Sequence, residues 1–192
     1  MRILYACFLL ICFGLNINAQ TRTQDSTKMH GILPMHNGKV YYSEVIEESN
    51  VSKDELYSRA YSWIVSSFKL TKFEVKMSDK GLGKIVAEGK FEHPIKYQTK
   101  AHTISFMITI IVKENRFKYI FTDFNELVLK ESFGFLSRTD KPIEEIYEKM
   151  DVRKKNHNNI ITQFDAYITK ICQELKSAVK LNDANGKNED DW

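Results

Sequence analysis

The sequence has few of the residues that staple or break a chain: three Cys, three Pro and eight Gly in 192 residues. Three cysteines cannot build the disulfide scaffold on which many small secreted folds rely. So little Pro and Gly excludes a collagen-like or low-complexity chain. Charge of one sign is lacking too. Lys and Arg number 28 against 25 Asp and Glu, a formal charge of +3 with a pI near 8.6. Nucleic-acid binders carry a concentrated basic footprint, so no nucleic acid is expected as a partner. Hydrophobic residues make up 43% and charged residues 28%, the balance of a globular chain rather than a disordered one. Long hydrophobic runs are absent except at the N-terminus.

That run fits a secretion signal over 1–19. Arg2 supplies the positive start, Ile3 to Leu15 the apolar stretch, and Asn16-Ile17-Asn18-Ala19 the cleavage region before Gln20. Ile17 is larger than the usual residue three places before a cut. Thirteen residues, 3–15, fall short of the roughly 20 needed to span a bilayer. A lipid-modified Cys is disfavoured, because Cys12 follows the bulky Ile11 and too little apolar sequence precedes Cys7. The expectation is an exported protein, periplasmic or secreted, with no stable membrane span after cleavage. Cleavage removes Cys7 and Cys12, so Cys172 stays alone and no intrachain disulfide can form.

The rest divides by composition. Residues 20–36 lack periodicity and read as a linker. Residues 182–192, with Asp183, Glu189, Asp190 and Asp191 against Lys187, read as a disordered acidic tail. The stretch 37–181 is left as one α+β domain, long enough to bury a core without staples. No internal repeat is present.

Within that domain a strand is expected from Lys39 to Glu48, with Val40, Tyr42 and Ile46 on one face. Ser52-Lys53-Asp54-Glu55 fits a capping box, with Val51 placed to staple onto Leu56. Leu56, Ala60, Trp63, Ile64 and Phe68 then follow helical spacing. Four strands come next: Lys72 to Met77, Lys84 to Glu92, Thr103 to Lys113 and Arg116 to Phe124. In the third, Ile104, Phe106, Ile108, Ile110 and Val112 point one way. Residues 125–141 read as a loop. Helix returns over 142–181, with Pro142 in the first turn of a short helix. A longer one follows from about Lys154 to Leu181, striped by Ile160, Ile161, Phe164, Ile168, Ile171, Cys172, Leu175 and Val179. Whether 142–181 is one helix or two is open. Strand, helix, four antiparallel strands and helix make an antiparallel sheet with helices packed on one face.

Lys39-Val40-Tyr41-Tyr42-Ser43-Glu44-Val45, Ser52-Lys53-Asp54-Glu55-Leu56-Tyr57 and Ala60-Tyr61-Ser62-Trp63-Ile64 occur in that order. Gly83-Lys84-Ile85-Val86-Ala87-Glu88-Gly89, Val112-Lys113-Glu114-Asn115-Arg116-Phe117-Lys118-Tyr119 and Thr122-Asp123-Phe124 follow. As an ordered set they resemble the family of exported Bacteroidota proteins called domain of unknown function 4468. The resemblance covers roughly 38–130. It implies a curved antiparallel sheet like that of the TATA-box-binding protein, behind a signal peptide, with no assigned reaction. A fold name does not carry DNA binding with it.

No catalytic set emerges. His30, His36, His93, His102 and His157 include no pair at metal-ligand spacing on one element, so neither a metal nor a cofactor is expected. Cys172 lies on an apolar helical stripe and reads as a small buried hydrophobe. Glu44, Glu47 and Glu48 read as solvated strand positions, and Glu144 and Glu145 as helix-dipole partners. Asp123, following Phe121 on its apolar face, needs a cationic partner. The residual feature is the sheet face opposite the helices. Thr103, Ser105, Met107, Thr109, Arg116, Lys118, Ile120 and Thr122 are the candidate binding residues, with Ile111 and Phe124 beside them. This mixture is too apolar for a plain solvated face and too polar for a second core. The leading expectation is a non-enzymatic module binding an envelope ligand or protein. A hydrolase with a dispersed site and a self-associating structural protein are the alternatives.

Overall fold

Period-two alternation builds the sheet, and helical stripes build the layer packed on it. The computed structural model describes residues 28–66, 72–93, 102–132 and 135–180. The expected signal peptide, the tail 182–192 and the segments 67–71 and 94–101 lie outside them. Two short strands, β1 (Lys28–Met29) and β2 (Leu33–His36), precede β3 (Lys39–Val40) and β4 (Tyr42–Glu47). Helix α1 (Lys53–Ser66) leads to β5 (Lys72–Asp79), β6 (Lys84–His93), β7 (His102–Lys113) and β8 (Arg116–Ser132). The chain then forms β9 (Phe135–Pro142), α2 (Ile143–Tyr147) and α3 (Lys155–Lys180). The main sheet has the order β4-β8-β7-β6-β5, all antiparallel, with β9 paired to the far half of β8. This is the α+β architecture expected, and 142–181 resolves into two helices.

Four expectations need correction. The linker expected over 20–36 is, from Lys28, a pair of strands. Asn37 and Gly38 both take positive φ, 49° and 75°, the turn chemistry that closes a two-residue hairpin. This folds β2 onto β3 and buries Leu33 and Met35 in the core. The single strand expected over 39–48 is two. Tyr41 breaks the run by donating its N–H to the Pro34 carbonyl at 2.9 Å. The loop expected over 125–141 is a hairpin, since β8 runs on to Ser132 and β9 returns along it. Lastly, Phe124 does not face away from the helices. Pairing slips between Ser105↔Asn125 and Met107↔Thr122, so β8 carries one extra residue there. Asp123 takes φ +54° at this bulge. The slip reverses the alternation, so Phe124 turns inward and Asp123 turns out to pair with Lys39. Asp123 thus has the cationic partner it needed, but off the apolar face.

Helix α1 begins as its sequence demands. Ser52 Oγ accepts the Glu55 N–H at 3.2 Å, a side-chain N-cap. The reciprocal half of the capping box is replaced. The Glu55 carboxylate takes Arg59 at 2.8 Å, and Glu114 accepts the Lys53 N–H at 2.6 Å. Leu56, Ala60, Trp63 and Ile64 are buried. Helix α3 buries all eight residues of its expected stripe. Both helices lie on one face of the sheet, over an aromatic core. Phe106 stacks on Phe121 and Phe124, while Phe164 of α3 reaches Phe91, Phe124 and Tyr147.

Candidate functional site

Among the described residues no helix covers the opposite face of the sheet. Register places its side chains in rows across the strands: Met77, Val86, Thr109, Ile120 and Ser43 in one, Ile111, Lys118 and Val45 in the next, then Lys113, Arg116 and Glu47. Met107 and Thr122 stand opposite each other on the same side. Met107, Thr109, Arg116, Lys118, Ile120 and Thr122 are therefore brought together as expected from the sequence. All are half-buried except Arg116, which is exposed and lies 3.9 Å from Glu47. Thr103 and Ser105 lie beyond the bulge and join them poorly. Thr103 donates its hydroxyl to Glu92 at 2.6 Å. Ser105 is only 5% exposed between Lys90 and Asn125 in register, which withdraws it from any ligand.

The two halves of this face differ. On β5 and β6, Lys76 bridges Glu74 at 2.8 Å and Glu88 at 3.0 Å, and Lys90 meets Glu88 at 3.3 Å. Charge is balanced there. On β4, β7 and β8 a cleft of about 230 Å³ opens between Val45, Ile111 and Phe117, rimmed by Lys113, Arg116 and Lys118. Lys113 and Lys118 make no ion pair among the described residues. Val45, 52% exposed, was not among the candidates. Its signal was the alternation of Tyr42, Glu44 and Ile46 with Ser43, Val45 and Glu47, which puts Val45 on the open side.

A second arrangement lies where β4 meets α3. Glu44 shares the parity of the buried Tyr42 and Ile46 but sits at the sheet edge. Its Oε2 accepts the Tyr119 hydroxyl at 2.8 Å and the Lys176 ammonium at 2.9 Å. Burial alone would raise the Glu44 carboxyl. The bonds from Lys176 and Tyr119, with the charges of Lys176 and Lys180, outweigh it and hold Glu44 below the usual carboxylate range. Burial pushes the Tyr119 phenol upward and the Cys172 thiol up to about 12, so both stay protonated. Neither is an activated nucleophile or base. Outside this clamp runs an open groove of about 510 Å³, lined by Glu44 to Glu47 on one side and Gln173, Lys176, Ser177 and Lys180 on the other.

The histidines scatter into local roles. His30 Nε2 lies 2.7 Å from the Tyr147 carbonyl, His93 Nε2 3.2 Å from the Ile160 carbonyl, and His102 Nδ1 2.6 Å from the Glu126 carboxylate. His157 accepts the Asp151 N–H at 3.0 Å, and His36 stacks obliquely on Tyr41. Among the described residues no group of three or more His, Cys, Asp or Glu is placed to hold a metal. No helix among them is long and apolar enough to cross a membrane.

Residues 42–126 match the profile of a family described as "Domain of unknown function (DUF4468) with TBP-like fold". A search of curated proteins finds no match. Among solved structures, a TBP-like protein from Parabacteroides distasonis superposes with a TM-score of 0.59 at 20% identity, covering 77% of this chain and 97% of that one. A DUF4468 family protein from Bacteroides ovatus gives 0.57 at 15% identity, covering 81% and 95%. At such identities the likeness establishes the fold alone. The match over 42–126 agrees with the resemblance read from the sequence, and the fold is TBP-like.

Proposed function

We propose that this protein is an exported, non-enzymatic binding module of the cell envelope that uses the open face of its sheet. Export is supported by the charged, apolar and small-residue parts of 1–19 in their proper order. Binding rests on one observation, the apolar cleft at Val45, Ile111 and Phe117 with cationic Lys113, Arg116 and Lys118 at its rim. An apolar floor beside convergent charges is the ordinary make-up of a small-ligand site. The cleft suits an anionic ligand with a small apolar group, whose charge meets Lys113 and Lys118 while the apolar part covers Val45 and Ile111. No enzymatic reading has an equivalent observation behind it, because the titratable groups gathered at Glu44 are mutually satisfied.

Native mass spectrometry of the protein purified from an exporting host tests this. The expected result is a small-molecule adduct that is lost on denaturation and absent from Ile111→Glu. An adduct retained by a folded Ile111→Glu protein would place binding elsewhere. A clean apo spectrum from the unsubstituted protein, with no thermal shift on adding anionic amphiphiles, would count against a small ligand altogether.

A further inference from the structure

Along the path β4-β8-β7-β6-β5 the outer strands are β4 and β5, and they are not equally protected. Strand β5 is blunted. Its pairing slips between Val75 and Met77 around Lys76, and a bulge with an edge lysine is a common defence against strand addition. Strand β4 has neither a bulge nor a lysine, and its one inward-facing charge, Glu44, is neutralised by Lys176. Its inner side pairs with β8 from Tyr42↔Phe121 to Glu47↔Arg116 without a slip.

The direction of its free groups follows from two bonds. The Glu48 N–H donates inward to the Asn115 carbonyl at 2.7 Å, and the Tyr41 N–H donates outward to the Pro34 carbonyl at 2.9 Å. Backbone groups alternate along a strand, so those of Ser43, Val45 and Glu47 point outward. Among the described strands none pairs with them. The Tyr41 bond also shows that β2 already uses this edge, one step before the free positions begin.

What lies outside the edge is the 510 Å³ groove. The groove has a backbone edge on one side and α3 on the other. With Glu44 and Lys176 set aside as each other's partners, Lys180 of the helix wall and the neighbouring Lys118 stand against one loosely held acid, Glu47, which Arg116 approaches at 3.9 Å. Glu44 is taken by Tyr119 and Lys176. Lys180 on the helix side has only a 4.0 Å approach to Glu48. On the sheet side Lys118 stands directly across from Val45 and makes no ion pair among the described residues.

We propose that the outer edge of β4 is a strand-addition site that takes an extended acidic segment of a partner protein. The segment pairs with the outward N–H and C=O groups of Ser43, Val45 and Glu47. Its alternate side chains face Lys176 and Lys180 on one side, and Val45 with Lys118 on the other. Main-chain bonds supply affinity and the alternate side chains selectivity, as in other strand-addition modes. The proposal shares Val45 and Lys118 with the ligand cleft, but its main-chain bonds come from the outer edge of β4, which the cleft does not use, and it does not depend on a ligand there.

The test uses three labelled peptides and fluorescence anisotropy: an alternating Glu-Val octapeptide, its Lys-Val counterpart, and the Glu-Val peptide N-methylated at alternate residues. The Glu-Val peptide should bind at least tenfold more tightly than either control. Binding should slow amide exchange at Ser43, Val45 and Glu47 in NMR spectra. Val45→Pro removes one outward N–H, where an edge tolerates proline, and should lower affinity at least tenfold with the fold intact. If that variant does not fold, Lys180→Glu together with the exchange pattern decides. In Ile111→Glu the bound peptide should still slow exchange at Ser43, Val45 and Glu47, which separates this edge from the cleft. No Glu-Val binding at millimolar peptide, equal binding by either control, or unchanged exchange would overturn the proposal. So would a concentration-dependent dimer abolished by Val45→Pro, because the edge would then be filled by a second copy.

Discussion

Lowering the pH should destabilise the protein through one residue, His93. It closes β6 and is 4% exposed. Phe164 meets it edge-on at 5.6 Å and Phe91 is tilted at 6.2 Å. Its polar contact is the Ile160 carbonyl at 3.2 Å. Burial lowers its pKa from 6.5 to about 4, although that bond works in the opposite direction. In the unfolded chain the imidazole protonates near its ordinary value of about 6.5. Between about pH 6.5 and 4 the unfolded state therefore holds a proton that the folded state refuses. Stability rises with pH across that window and is lost as pH falls through it. A gap of about 2.5 pH units, at about 1.36 kcal/mol each, amounts to about 3 kcal/mol. For a domain of this size that corresponds to a fall in Tm of roughly 6–12 °C. Urea unfolding at pH 7.0, 5.5 and 4.5, run on the native protein and on His93→Phe, isolates the effect. Phenylalanine keeps the aromatic shape and takes no proton, and every other titrating group is common to both proteins. The native protein should lose about 3 kcal/mol more than the variant as pH falls toward 4. Parallel stability curves, or a His93 ring that titrates near 6.5 by NMR, would refute the reasoning.

Three further outcomes follow from the packing. A Cβ at Gly89 would lie 2.3 Å from Phe106 Cζ, so Gly89→Ala should cost at least about 1–3 kcal/mol. Denaturation of Gly89→Ala/Phe106→Leu should recover part of that loss. A fully additive double variant would show that the ring is not the obstacle. Lys176→Met removes a partner of Glu44, and the Glu44 carboxyl should titrate higher in carbon-detected NMR. A carboxylate held low stabilises the fold above its unfolded pKa, so the stability lost in Lys176→Met should be present at pH 7 and shrink as pH falls through the folded value. Cys172, buried with its thiol pushed up to about 12, should resist a disulfide reagent in the native protein and react on unfolding. Rapid native labelling would contradict that burial.

The elements carried by local pattern were legible in the sequence. The even positions 104–112 of β7 and the α3 stripe are buried as the two periodicities require. The Ser52 cap is where the Ser-to-Glu spacing put it. What escaped was non-local or compressed. Asn37-Gly38 is a hairpin signal, but the strands it joins are four and two residues long, too short for any alternation to register. The bulge at Asp123 leaves no mark in composition. It reverses the alternation after Thr122, which is why Phe124 was placed on the wrong face. The run from Asn125 to Pro142 mixes charged and apolar residues because β8 and β9 pair beyond the end of β4.

The candidate surfaces show the same division. The residues 107–122 on β7 and β8 could be assigned to one face because alternation alone decides it. Whether that face meets water depends on where the helices go, and both pack on the other side. The edge character of β4 is further from the local sequence still. Tyr42 to Glu47 alternates like an interior strand, and nothing within it says that β8 lies on one side only. That follows from the strand order, which places β9 rather than a further strand beside the far half of β8. Glu44 is the one local hint, an acid among inward-facing apolar residues. A carboxylate at that parity can be kept only where the sheet ends and a cation can reach it. Lys176 and Tyr119 meet that need from α3 and β8. The clamp that satisfies Glu44 therefore marks the open edge of the sheet, and it also fixes the helix wall of the groove beside that edge.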